Sequence, residues 1–251
     1  MTATYQDKGT VIVTGASRGI GAAIAGKLAG DGYGVIVNYA ADADGAESVV
    51  SAIRAKGGRA EAARADFASE DDITAMFDRA QQHMGPLTAL VNNAGTGGGL
   101  KRVDEREADE LTRLMQVNVV GPMLCAKHAV QAMSTAHGGR GGCIVNIAGI
   151  FAQAPAWAMG AVPTEATKGA LVTFARGLSN EVAAEGIRVN SVSPGVIDTQ
   201  LASAETFEAA AEHSPLGRKG RPDEIAETVS WLVSSEASYV TGSDIPVTGG
   251  L

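Results

Sequence analysis

Val11-Ile12-Val13-Thr14-Gly15-Ala16-Ser17-Arg18-Gly19-Ile20-Gly21 is the stretch from which the fold of this chain is read. Val11–Thr14 is a short run rich in β-branched residues, the composition of a strand covered on both faces. Helical periodicity takes over near residues 19–30. The glycines in between allow a sharp turn and let backbone N–H groups come close to an anion, toward which the new helix points its positive end. Strand, glycine-rich turn and helix in that order form the first unit of a doubly wound sheet, where the anion is a dinucleotide pyrophosphate. The spacing is Gly-x-x-x-Gly-x-Gly rather than Gly-x-Gly-x-x-Gly, so taken alone the turn also reads as a plain tight connection.

Working outward, the same alternation recurs. Strands are expected at Val11–Thr14, Val35–Asn38, Ala60–Ala65, Ala89–Asn92, Cys143–Ile147, Arg188–Ser191 and Ile245–Val247. Helices are expected near 19–30, 44–57, 70–84, 105–136, 164–185 and 222–234. The strands are apolar on both faces, as parallel strands under helices are. With no linker or repeat, residues 1–251 read as one domain of class α/β, a Rossmann-like, doubly wound parallel sheet of about seven strands.

Composition excludes several functions. Among 251 residues there are 32 glycines but only four tyrosines, Tyr5, Tyr33, Tyr39 and Tyr239. Two cysteines, Cys125 and Cys143, build neither a disulfide scaffold nor a four-cysteine zinc site, and no metal site is expected. A net charge of −8 argues against nucleic acid as a partner. Met1–Gly9 is polar and no apolar run reaches the ~20 residues of a membrane span, so the expectation is a cytoplasmic protein acting on a small molecule.

Cofactor choice rests on the end of the second strand, where NAD-binding sheets carry an acid for the ribose 2′-hydroxyl. Here Val37-Asn38-Tyr39-Ala40 has none before Asp42, and Arg18 is available for a 2′-phosphate. NADP(H) is therefore expected in preference to NAD(H). Thr199–Arg221, which includes Glu205, Glu208, Glu212 and His213, falls at the carboxyl edge and reads as a lid or as a surface helix.

The turn at Thr14–Gly21 resembles that of the classical short-chain dehydrogenases/reductases. Further motifs of that family follow in order: Asp66-Phe67, Asn92-Asn93-Ala94-Gly95, Asn118, Ile144-Val145-Asn146-Ile147, Lys168, Ser193-Pro194-Gly195 and Tyr239-Val240-Thr241-Gly242. The match covers essentially the whole chain and is nearest in flavour to 3-oxoacyl-carrier-protein reductases and glucose dehydrogenases. The resemblance implies that Gly15, Ser17, Arg18, Gly19, Ile20, Gly21 and Asn38 bind the cofactor. It implies Asp66 and Phe67 beside the adenine, and Asn93, Ala94 and Gly95 along the cofactor. Lys168 would hold the nicotinamide ribose, and Pro194, Gly195, Ile197 and Thr199 the carboxamide. It also implies a homotetramer, with the fourth and fifth helices and the C-terminal strand at the interfaces.

The catalytic corner departs from that family. Carbonyl reduction there uses a serine, a tyrosine four residues before a lysine, and a helix asparagine. The corresponding positions here are Gly149, Thr164, Lys168 and Asn118. No tyrosine lies between Tyr39 and Tyr239, so the usual acid has not merely moved. An alkyl hydroxyl is too weak an acid to replace it, and losing a positioned acid costs about 10²–10⁴ in rate. Glu165 reads as a surface partner of Lys168 or a first-turn acid, His128 and His137 as packing or surface residues, and His213 as a residue to test. By the family layout Phe151, Trp157 and Met159 would face the nicotinamide, a wall that suits an apolar or cationic substrate, or else they pack at a subunit contact. Three readings follow: an NADP(H)-dependent oxidoreductase reducing a carbonyl or an imine/iminium with an atypical proton source, a non-catalytic NADP(H)-binding protein, or an engineered or inactivated carbonyl reductase.

Overall fold

β1 (Thr10–Val13) is buried along its whole length, and its side chains alternate between two cores. Val11 and Val13 enter a cluster with α1 (Gly19–Gly30), α2 (Ala43–Ala55) and α7 (Pro222–Val233). Ile12 faces the opposite way, into a cluster with α3 (Glu70–Met84), α5 (Gly121–Met133) and α6 (Val162–Val182). Fully burying a Val or Ile side chain contributes about 1.5–3 kcal/mol, so a strand apolar on both faces is stable only between two helical layers. The computed structural model describes residues 8–150, 160–199 and 214–251.

β2 (Gly34–Tyr39), β3 (Arg59–Arg64), β4 (Leu87–Asn92), β5 (Gly142–Ile147), β6 (Ile187–Pro194) and β7 (Asp244–Val247) complete a seven-stranded sheet of order β3-β2-β1-β4-β5-β6-β7. Every pairing is parallel. All seven expected strands form, and β6 runs three residues beyond its expected end at Ser191. Chain order reverses between β1 and β4, the crevice where such sheets bind ligands. Because the strands are parallel, Thr14, Asn38, Asp66, Asn93, Gly149 and Gly195 all gather on one edge. β3 departs from the apolar pattern because it is an edge strand, with Arg59, Glu61 and Arg64 in its sequence.

The single helix expected over 105–136 is corrected to several pieces. Val103–Glu105 is a 3-10 turn, followed by α4 (Ala108–Met115), a π-turn at Gln116–Val120, and α5. Pro122 explains the interruption: it has no N–H to give to the carbonyl four residues back, which is that of Asn118. α6 starts at Val162, two residues earlier than expected, with Pro163 in its first turn, where a missing N–H costs nothing.

Candidate active site

The turn after β1 is shaped by close approaches. Gly15 has φ +59°, and a Cβ there would lie 2.8 Å from Ala94 Cα. At Gly21 a Cβ would run into the Gly15 carbonyl and come within 2.5 Å of Asn93 Nδ2. Only glycine lets α1 start against the strand ends. Its N-terminus has no side-chain cap and no acid in the first turn, so its N–H groups face outward unneutralised. Ser17, Gly19 and Ile20 are partly exposed around this end, and Arg18 is exposed, its guanidinium without a bond or ion pair among the described residues. A cradle that a single methyl would fill, with free donors and one free cation, fits a pyrophosphate carrying an extra phosphate.

Asn38 does not present its side chain to a ligand, as a direct cofactor contact would require. It is buried, its Oδ1 accepts from Gly15 N–H at 3.0 Å, and its Nδ2 donates to the Ala63 carbonyl at 3.2 Å. It ties the turn to β2 and β3. Asp42, the first acid beyond, accepts the Gly45 N–H at 3.0 Å and caps α2. Thus no free carboxylate closes β2.

Asp66 is partly exposed at the end of β3. The Ala68 N–H, helped by Arg113, holds its carboxyl below the usual range, so it stands ionised as an acceptor. The adenine role for the Phe67 side chain is corrected: it is 3 % exposed, in the core with Ile73 and Leu90. A Cβ on Gly121 would touch its Cβ at 2.6 Å, and this close packing against α5 draws the ring inward.

Thr14 organises the next strand end, a role the sequence reading missed. Its hydroxyl accepts from both Asn93 and Ala94 N–H at 2.9 Å. Asn93 Nδ2 in turn donates to the Thr14 and Gly15 carbonyls at 2.9 and 3.0 Å. Asn93 therefore braces the phosphate turn, and Ala94 and Gly95 line the opening. Across the edge, Pro194 ends β6 and a Cβ at Gly195 would lie 2.7 Å from Thr248 Cα. Ile197 is buried and bridges to Gly220. Thr199 Cγ2 stands 3.5 Å from where a Cβ at Gly19 would sit, so the two ends of the opening meet there.

The catalytic corner assembles from β5, the π-turn and α6. Lys168 Nζ donates to the Ile147 carbonyl at 2.9 Å, and burial lowers its pKa from 10.5 to about 8. Asn118 is buried, with Oδ1 accepting from Thr96 N–H at 2.8 Å and Nδ2 donating to Thr96 O at 2.9 Å and Thr167 Oγ1 at 3.1 Å. Its side chain is thus spent on holding the loop after β4. At Gly149, a Cβ would meet nothing nearer than Lys168 Cγ at 3.8 Å among the described residues. Thr164 donates its hydroxyl proton to the Gly97 carbonyl at 2.7 Å, away from Lys168.

Glu165 is corrected from a surface partner of Lys168. It lies in the first turn of α6, while Lys168 Nζ is bonded to the Ile147 carbonyl, and the buried Oε1 of Glu165 has no hydrogen-bond partner among the described residues. Burial alone raises its pKa. His128 stacks on Phe77 at 5.2 Å and His137 is exposed, the packing and surface roles expected. Phe151, Trp157, Met159, Glu205, Glu208, Glu212 and His213 lie outside the described residues, as does most of the expected lid.

Arg106 is a second residue that sequence reasoning missed. Its guanidinium donates to the carbonyls of Gly98, Gly99, Lys101 and Gly160. A Gly97-Gly98-Gly99 run has no conformational preference of its own, so this one side chain fixes it against the start of α6. The signal available was the glycine run itself, which needs an external tie. Among the described residues no cluster could hold a metal ion, and no helix is long and apolar enough to cross a membrane.

Known proteins agree with this geometry. A family model described as enoyl-(acyl carrier protein) reductase matches residues 15–251. The uncharacterized oxidoreductase YgfF of Escherichia coli K12 is 41 % identical over 247 residues, covering 95 % of this chain and 98 % of that protein. Glucose 1-dehydrogenase 2 of Bacillus subtilis 168 is 36 % identical, over 96 % and 94 % of the two chains. The structure of a short-chain dehydrogenase from Burkholderia cenocepacia J2315 in complex with NADP superposes with a TM-score of 0.89 at 33 % identity, covering 96 % of each chain. The chain belongs to the short-chain dehydrogenase/reductase family and is an oxidoreductase of that type.

Proposed function

From that membership, we propose that this chain is an NADP(H)-dependent oxidoreductase that reduces a carbonyl or an imine/iminium of a small organic substrate with a proton source other than tyrosine. The observation that carries the reading is the contrast along one edge: a tight glycine-built turn with an uncapped helix start leads to a lysine beside a glycine where the family has a serine. The 2′-phosphate preference is supported by Arg18, by the commitment of Asp42 to capping α2, and by the NADP bound in the Burkholderia relative.

The chemistry the cofactor supplies is hydride. What the chain supplies is position. The turn Gly15–Gly21 and the start of α1 would hold the phosphates, Asp66 the adenine, Lys168 the ribose, and Pro194–Thr199 the carboxamide. Lys168 and Asn118 border the space where a carbonyl oxygen would lie, with Gly149 and Gly95 leaving it open. An iminium suits such a site because it arrives already cationic and needs hydride more than acid. The second reading, cofactor binding without turnover, is favoured by one observation only, the tie of Thr164 to Gly97.

We further propose a homotetramer of the cytoplasm. The exposed apolar residues Met115, Val120, Met123 and Val162 on the α4–α6 side support the assembly, and two free, buried cysteines suit a reducing compartment. The deciding experiment is NADPH oxidation with a panel of ketones and cyclic imines, alongside NADPH binding by fluorescence. Turnover of either class supports the oxidoreductase; binding with no turnover of any substrate selects the second reading.

A further inference from the structure

We infer that Lys168 is itself the proton donor of this enzyme, its ammonium protonating the substrate oxygen directly where the family passes that proton through a tyrosine. The inference rests on the oxidoreductase reading above and deepens it.

The first ground is elimination by contact. Among the described residues, the side chains gathered at this corner are those of Asn118, Thr164, Thr167 and Lys168, beside the neutral amides of Asn92 and Asn146 at the ends of β4 and β5. Asn118 and the threonines are neutral and very weak acids. Thr164 already places its proton on the Gly97 carbonyl, and Thr167 places its own on the Thr164 carbonyl at 2.6 Å. Of these described side chains, Lys168 alone holds a readily transferable proton.

The second ground is access. An ammonium carries three protons, and one hydrogen-bond acceptor, the Ile147 carbonyl, meets Nζ among the described residues. Two of the residues beside it, Gly95 and Gly149, carry no side chain to crowd the remaining protons. A Cβ at Gly95 would lie 3.6 Å from Nζ, and one at Gly149 3.8 Å from the lysine Cγ. Where the family carries a serine hydroxyl, this chain has a glycine facing the lysine stem.

The third ground is acidity. Burial brings the ammonium to about 8, close to the operating range that favours a general acid. Cys143 of β5, Arg188 of β6, Asp109, Glu110 and Arg113 of α4, and Glu185 in the turn after α6 are the ionisable residues on the elements packed most against α6, and Glu165, Arg176 and Glu181 share its helix. None contributes to the lowered value, whose single cause is desolvation. Among the described residues no carboxylate pairs with the charged amine, so giving up its proton relieves the burial of a charge.

The step balances. The carbonyl carbon accepts hydride with its electron pair from reduced nicotinamide, which is thereby oxidised. The carbonyl π bond breaks onto oxygen, a proton passes from Nζ to that oxygen, and the alcohol leaves a neutral amine that water reprotonates.

The test uses the full-length protein, with cyclic ketones and an N-methylated cyclic iminium that needs no proton. With saturating NADPH, ketone reduction is level below pH 8 and falls about tenfold per pH unit above it, while iminium reduction shows no such limb. In Lys168→Arg the limb disappears from the measured range, because a guanidinium stays charged to above about pH 12. In Lys168→Met the ratio of ketone to iminium rates drops at least about 10²-fold. A readout independent of turnover is the 13Cε NMR titration of Lys168 in the cofactor-free protein, assigned with Lys168→Met, with an expected midpoint near 8. A midpoint above about 10, the ordinary lysine value, overturns the inference. So does a ketone limb that survives in Lys168→Arg, which leaves the oxidoreductase reading standing. Absence of turnover with both substrates overturns the two together.

Discussion

The two ends of the carboxyl edge are built on opposite terms. At the β1–α1 end, space decides: a Cβ at Gly21 would come within 2.5 Å of Asn93 Nδ2. At the β5–α6 end, a Cβ at Gly149 would meet nothing closer than 3.8 Å among the described residues. The first site is made of backbone, so its residue types are dictated by the fold around them. The second is made of side-chain ends, and the sheet and helix that carry them form whether or not the hydroxyls are present. A fold of this kind can therefore exchange its proton chemistry while its cofactor geometry stays in place.

The contrast can be broken at either end. The largest effect is expected from Gly21→Val, which forces the phosphate turn away from Asn93. Overpacking of this sort costs 1–3 kcal/mol or more, so NADPH affinity should fall by about 10²-fold or beyond in a fluorescence titration, with circular dichroism reporting the fold. Unchanged affinity would show that the cradle is not set by space. The opposite manipulation is Gly149→Ser with Thr164→Tyr. Open room at Gly149 should accept the serine, and ketone reduction should rise by about 10²-fold, measured as NADPH oxidation. No gain would mean that the catalytic end, too, is held by shape.

Two smaller tests sharpen the contrast within the cofactor end. Arg18→Ala removes the free cation by the turn, and NADPH should bind roughly tenfold more weakly while NADH is unaffected. Equal losses for both would assign Arg18 to the pyrophosphate. Asp42→Ala removes the cap of α2 and should cost about 1 kcal/mol in denaturant unfolding, with no change in cofactor preference. A shift toward NADH or NADPH would return Asp42 to the binding site.

Much of the site was legible where the backbone itself is the binding group. Gly15 and Gly21 could be read in advance because a turn that close to a strand end leaves room for no side chain. Side chains with long-range partners were less legible. Asn38 looked like a ligand group and proved a brace between Gly15 and Ala63, 23 and 25 residues away. Phe67 followed its motif but turned into the core, since α5 offers a glycine for it to pack on. Arg106 and Thr14 carried no recognisable spacing, because each acts by collecting main-chain groups from other segments. The π-turn at Gln116–Val120 was missed although Pro122 was in view, because a helix-period pattern records which face is apolar and not which carbonyls lose a donor.

By itself the sequence determined the order of strands and helices, the glycine-built turn, and the absence of any tyrosine between Tyr39 and Tyr239, a chemical deficit no folding can repair. Tertiary structure alone decided that Asp42 is spent on a helix cap, that Thr164 is tied to Gly97, and that Lys168 is half-buried beside Gly149 with its Nζ on the Ile147 carbonyl. The reason is physical. Hydrophobic period and steric freedom are local properties written residue by residue, whereas the partner and the dielectric surroundings of a polar group are set only when distant segments pack.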